Sequence, residues 1–107
     1  MDLAKDHPQE YPKGTPPLSD DEAAELASEV SRWTVEGGKL TRRFEFKDFN
    51  EAFGFMSRIA LLAEAEGHHP DISISWNVVD LVFWTHTAEG LTRNDFIMAA
   101  RVDWLSP

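Results

Sequence analysis

Three histidines and two acids in the C-terminal half stand at spacings suited to proton transfer. They read Glu64-x3-His68-His69-Pro70-x5-Trp76-x9-His86-x8-Asp95. Histidine is the side chain whose ordinary charge change falls near neutral pH, so it can both give and take a proton there. Three of the four histidines lie inside this pattern. A histidine pair beside a carboxylate can hold one imidazole neutral and another protonated, and such a site can act as acid and base in one turnover.

Each residue also has an ordinary reading. Pro70 restricts His69 to extended backbone, so the pair could mark a stiff helix-to-strand junction. Asp95 follows Thr92 by three residues and could only complete a helix cap. His86 could end a strand by chance, and Glu64 could be a solvated helix residue. Together they argue differently: all are expected at element ends, where loops gather into a cleft. Metal binding is the competing chemistry, since imidazoles and carboxylates hold zinc or iron. Yet no helical His-x3-His spacing is present, and adjacent residues in an extended segment point to opposite sides. Neither a Gly-rich phosphate loop nor a Gly-x-Ser-x-Gly nucleophile elbow occurs.

The elements that position these residues can be read from pattern. Ser19-Asp20-Asp21-Glu22 forms a capping box that opens a first helix, with Ala23, Leu26, Ala27 and Val30 at helical spacing. Gly37-Gly38 separates Trp33–Val35 from Lys39–Phe46 and predicts a hairpin. On the second strand Leu40, Phe44 and Phe46 share a face, and Arg42 interrupts it, which suggests an exposed strand end. Asp48 caps a second helix with an apolar stripe of Phe49, Ala52, Phe53, Met56, Ile59, Ala60 and Ala63, and Gly67 ends it. From Ile72 the period becomes two. The parity flips near Asn77 to Val79, which fits either two strands or one bent strand. Ala88-Glu89-Gly90 is a loop, and Thr92-x-x-Asp95 opens a third helix with Phe96, Ala99 and Ala100 inward. The predicted class is α+β, an antiparallel sheet of about four strands with three helices packed on one face.

At 107 residues the chain should form a single domain. Residues 1–17 carry Pro8, Pro12, Pro16 and Pro17 and read as a flexible N-terminal tail, leaving 18–107 as the folded domain. His7 falls in that tail and receives no role. The formal net charge of -9 argues against nucleic acid and anionic lipid as partners. With no cysteine there is no disulfide or thiolate chemistry. Neither a secretory signal nor a membrane-spanning run is apparent, so a cytoplasmic protein is expected.

The histidine pattern resembles the signature of the pterin-4a-carbinolamine dehydratases. Lys47-Asp48-Phe49-Asn50, Ala52-Phe53-Gly54-Phe55-Met56, Thr85-His86 and Gly90-Leu91 ahead of Asp95 also resemble that family's stretches. The resemblance runs from Ser19 to Trp104. It implies dehydration of a 4a-hydroxytetrahydropterin to the quinonoid dihydropterin and water, recycling the pterin after aromatic amino-acid hydroxylation. No metal or organic cofactor would take part. By family likeness His68 and His86 would be acid and base, and His69 would hold the pterin or assist. Gly67 and Pro70, with Trp84, Thr85 and Thr87, would line the ring, while Glu64 and Asp95 would orient imidazoles or contact the pterin. Trp33 and Trp76 are candidates for the pocket wall and equally for core or interface residues. The chain departs from animal members in its longer tail, in Trp84 where a smaller residue is expected, and in Ile72 to Ser75. The resemblance also implies a homodimer or homotetramer. The alternative is a non-enzymatic relative on the same fold, such as a carboxylase assembly chaperone or a transcription-factor dimerisation cofactor.

Overall fold

The computed structural model describes residues 2–106. Met1 and Pro107, the outer bounds of the expected tail and domain, lie outside the described residues. Helix α1 (Asp20–Ala27) begins at the expected capping box. The Ser19 hydroxyl accepts from the Glu22 N–H at 3.1 Å, and the Glu22 carboxylate accepts from the Ser19 N–H at 2.9 Å. That backbone N–H first, and the Ser19 hydroxyl second, hold the Glu22 carboxyl below its ordinary range.

Strands β1 (Thr34–Glu36) and β2 (Lys39–Glu45) form the predicted hairpin. Gly37 and Gly38 take φ of 57° and 73°, a left-handed pair that twists the turn to match its strands. Helix α2 (Phe49–Glu66) starts at Asp48, whose carboxylate accepts from the Glu51 N–H at 2.9 Å. It stops at Gly67, where φ is 68°. The period-two run resolves into two strands, β3 (Asp71–Ser75) and β4 (Val78–Phe83), joined by Trp76-Asn77. Helix α3 (Arg93–Leu105) closes the chain.

The sheet is antiparallel throughout, in the order β1-β2-β4-β3. Pairing of Leu40 with Phe83 and of Phe44 with Val79 puts these residues on one face. Ile72 and Ile74 of β3 pair with Leu81 and Val79 and join that face. The three helices cover it, and the other face carries Thr41, Arg43 and Asp80. Phe55, Phe83 and Phe96 are fully buried between the layers, each stabilising the fold by roughly 1.5–3 kcal/mol.

Two expectations from the sequence need correction, and one open choice is resolved. The stripe read on α2 merges two faces of the helix. Ala52, Phe55, Ile59 and Ala63 are buried, while Phe49, Phe53 and Ala60 are exposed. At 100° per residue the two sets are centred roughly a quarter-turn apart. Arg42 is not at an exposed strand end. Its guanidinium lies 4.1 Å over the Phe44 ring and donates to Asp103 on α3 at 2.5 Å. Asp103 also accepts from the Trp33 indole at 2.8 Å, so the core face tolerates a cation because the third helix brings its counter-ion. Trp33 is therefore a core residue, and Trp76 sits exposed at the tip of the β3–β4 hairpin.

Candidate active site

Local chain geometry brings the candidate residues to one end of the sheet. The left-handed Gly67 cap turns the backbone out of α2, so His68 and His69 leave the helix beside the start of β3. At the far end of β4, Thr85 and Gly90 form an isolated bridge, with the Thr85 N–H donating to the Gly90 carbonyl at 2.8 Å. The bridge closes a tight loop containing a short 3-10 turn, His86–Ala88. Two residues beyond it, Thr92 caps α3 and sets Asp95 in that helix's first turn.

Asp95 is fully buried and fully used. Its Oδ2 accepts from the Thr92 N–H at 2.9 Å and from the Thr85 hydroxyl at 2.8 Å. Its Oδ1 meets His68 Nε2 at 2.6 Å. A carboxylate only accepts, so Nε2 carries the hydrogen and Nδ1 is the ring atom left to exchange a proton. The Thr85 hydroxyl, having donated to Asp95, accepts from the Thr92 hydroxyl at 2.7 Å. The His68 ring also lies nearly parallel to Phe83, centroids 6.0 Å apart. The carboxylate fixes the tautomer of this imidazole and, with the phenyl ring, its orientation, as a carboxylate hydrogen-bonded to a histidine commonly does.

The other two histidines are held differently. His69 Nε2 meets the Glu64 carboxylate at 2.7 Å, and both side chains are exposed. His86 is exposed to the cleft side and stacks on Trp84, centroids 3.8 Å apart at 25°. Lys39 Nζ stands 5.2 Å over the same indole. The Trp84 indole N–H is buried without a hydrogen-bond partner, which costs about 1–3 kcal/mol.

A cleft of about 720 Å³ opens between these segments. Gly67, His68 and His69 line one side, and Thr85, His86 and Thr87 line another. Asp95 lies behind His68, and Trp84 lies behind His86. Glu64 and Pro70 are not part of the lining, and neither are Trp33 and Trp76. Sequence reasoning missed Glu66 and Asn94, which do line it, and Thr92, which completes the Asp95 network. It also missed residues 8–12, which form the cleft's outer side. Thr92 was visible as a cap. The others carry no local signal, because their contacts come from segments far apart in the chain. Among the described residues no group of three or more metal-ligating side chains converges.

Fold and cleft together define a small α+β protein with a histidine–carboxylate site at one sheet end. Comparison with known proteins agrees. The family model described as Pterin 4 alpha carbinolamine dehydratase matches residues 16–105. A Methylococcus capsulatus protein, provisionally named pterin-4-alpha-carbinolamine dehydratase, is 48% identical over 95 residues, covering 87% of this chain and 83% of that protein. A Chlorobium limicola protein with the same provisional name is 50% identical over 93 residues, covering 83% and 82% respectively. A crystal structure from Brucella melitensis, described as a transcriptional coactivator/pterin dehydratase, superposes with a TM-score of 0.80 at 35% identity, over 85% of this chain and 99% of that one. A pterin dehydratase-like protein described as a RuBisCO assembly factor in the alpha-carboxysome superposes with a TM-score of 0.61 at 28% identity, over 69% and 88%. The chain belongs to the pterin-4-alpha-carbinolamine dehydratase family.

Proposed function

We propose that the chain dehydrates a 4a-hydroxytetrahydropterin to the quinonoid dihydropterin and water. The observation that carries this reading is His68, paired with the buried Asp95, on the same cleft as the exposed His86. The reaction breaks the C4a–O bond. The leaving oxygen takes a proton and departs as water, and a ring nitrogen gives up its hydrogen as the new C=N bond forms. One imidazole must therefore deliver a proton and another must accept one. His68, with Nε2 tied to Asp95 and Nδ1 open, is suited to one task, and His86 to the other. His69, steadied by Glu64, contacts the pterin. Gly67, Thr85 and Thr87 supply the walls, Pro70 stiffens the turn behind His69, and Trp84 backs His86. The chemistry needs no metal or organic cofactor.

The protein we envisage is a cytoplasmic homodimer or homotetramer with a pterin as its ligand. Among the described residues no helix is long and apolar enough to cross a membrane. The net charge of -9 disfavours nucleic acid. A non-enzymatic assembly role, as described for one structural relative, does not require Asp95 to be committed to an imidazole. Stopped-flow measurement with a 4a-hydroxytetrahydropterin generated in situ tests the reading. The protein should speed loss of the carbinolamine absorbance over buffer, and His68→Ala and His86→Ala should each slow it by roughly 10²-fold or more. A rate no faster than buffer would leave the assembly role as the better account.

A further inference from the structure

We infer that residues 8–12 are part of the ligand site and that Tyr11 supplies its aromatic wall, held in place by Asn94. The identity of the ligand rests on the dehydratase reading; the wall itself rests on geometry. Pro8 to Pro12 line the same cleft as His68, His69 and His86. They precede residue 16, where the family match begins. This wall is thus supplied by a segment outside the part of the chain that the family model matches.

The segment is tied at both ends and in the middle to the elements that carry the proposed catalytic groups. Upstream, Asp6 pairs with Arg93 at 2.5 Å, and His7 meets Glu66 at 2.6 Å. Glu66 in turn pairs with Arg101 of α3. Downstream, the Gly14 N–H donates to the Thr87 carbonyl at 3.0 Å and the Leu18 N–H to the Leu91 carbonyl at 2.8 Å. The central contact is the most telling. The Gln9 N–H donates to Asn94 Oδ1 at 2.9 Å, and Asn94 Nδ2 donates to the Gln9 carbonyl at 2.6 Å. Asn94 is only 4% exposed. A buried amide that spends both its groups on one backbone residue is satisfied only while that residue stays docked. Asn94 also adjoins Asp95, so one helix turn positions both the His68 carboxylate and the outer wall.

Tyr11 gives the wall its chemistry. It is half-buried, and apart from the histidines it is the only aromatic side chain among the described residues that lines the cleft. A pterin is a flat bicyclic ring, and an aromatic face is a natural surface for it. Pro8 and Pro12 flank the position and limit the backbone's freedom to withdraw it.

Three full-length variants test the inference: Tyr11→Ala, Tyr11→Phe and Asn94→Ala. Steady-state kinetics are paired with fluorescence titration of a stable oxidised pterin and with amide NMR shifts of residues 9–11. Tyr11→Ala and Asn94→Ala should each raise KM and the pterin Kd by about tenfold, with much less effect on kcat. Tyr11→Phe should restore tight binding, and the Gln9 and Tyr11 amides should shift when pterin is added. If the unmodified chain is active and Tyr11→Ala keeps its KM and Kd, the wall is not part of the site. If the chain is inactive yet binds pterin, and Tyr11→Ala weakens that binding, the wall stands and the dehydratase reading falls. A chain that neither turns over nor binds pterin overturns both.

Discussion

At the scale of single residues, Asp95 is the position on which most depends. It accepts from three donors on three segments: His68 after α2, Thr85 after β4 and Thr92 at the start of α3. Asp95→Asn keeps the volume but replaces one acceptor oxygen with a donor, so either one of those partners loses its bond or His68 accepts from the amide in its other tautomer. We expect this variant to fold, to melt earlier by an amount equivalent to about 1.5–3 kcal/mol, and to lose pterin turnover by an order of magnitude or more because His68 is held in the wrong orientation or tautomer. Thermal denaturation and the stopped-flow assay, run on one preparation, separate the two effects. Full activity in a destabilised Asp95→Asn would mean that the carboxylate is structural only. His68 and Asp95 were legible from sequence because each sits at an element boundary that capping rules locate. The partners of His69 and Asp95 were legible as candidates too, but their division of labour was not. Nothing in the chain order says that Asp95 goes to His68 and Glu64 to His69, since that depends on which way each ring leaves the Gly67 turn. Asn94 had no signal at all: its partner Gln9 lies 85 residues away.

At the scale of elements, caps and turns followed local rules closely. Ser19 with Glu22, Asp48, the Gly37-Gly38 pair and Gly67 each do what their residue type favours. The β3–β4 turn does not. Trp76 takes φ of 50°, a left-handed backbone that a bulky side chain adopts only under strain. No glycine or Asn-Gly marked this turn, which is why one bent strand and two strands could not be told apart from the pattern. The turn is imposed instead by its surroundings. The Asn77 side-chain amide donates to the Phe46 carbonyl at 2.9 Å, and the Phe46 N–H donates to the Asn77 carbonyl at 2.8 Å. Since Trp76 is 67% exposed, removing it forfeits little burial. Trp76→Gly should therefore stabilise the protein by about 1 kcal/mol, read as a rise in Tm of roughly 4–8 °C. Pterin turnover should be unaffected, because the hairpin tip does not line the cleft. A lower Tm would show that the indole makes contacts worth more than the strain, which an assembled protein could supply.

At the scale of the whole molecule, hydrophobicity alone could not separate the core face of α2 from the face left open. Both carry phenylalanine: Phe55 inside, Phe49 and Phe53 outside at 50% exposure each, their rings 6.1 Å apart. Leu61, farther along the same helix, is 72% exposed. A monomer gains nothing from such a surface, and large exposed apolar patches commonly mark protein contacts. Self-association would bury it symmetrically. Net charge opposes that association, since two copies each carrying -9 repel one another. Hydrophobic contact and charge repulsion respond oppositely to salt: screening weakens the repulsion and leaves the apolar contact intact. The chain should therefore form an oligomer whose dissociation constant falls as ionic strength rises. Light scattering across a salt series reads this directly. The double variant Phe49→Ser with Phe53→Ser should shift the mass towards monomer while the melting behaviour of the isolated domain changes little, because neither ring is in its core. A monomeric mass for the unmodified chain at every salt concentration would remove α2 as an interface. An oligomer that survives the double variant would move the contact elsewhere, to the exposed edge of β1 or β3 at the margins of the sheet.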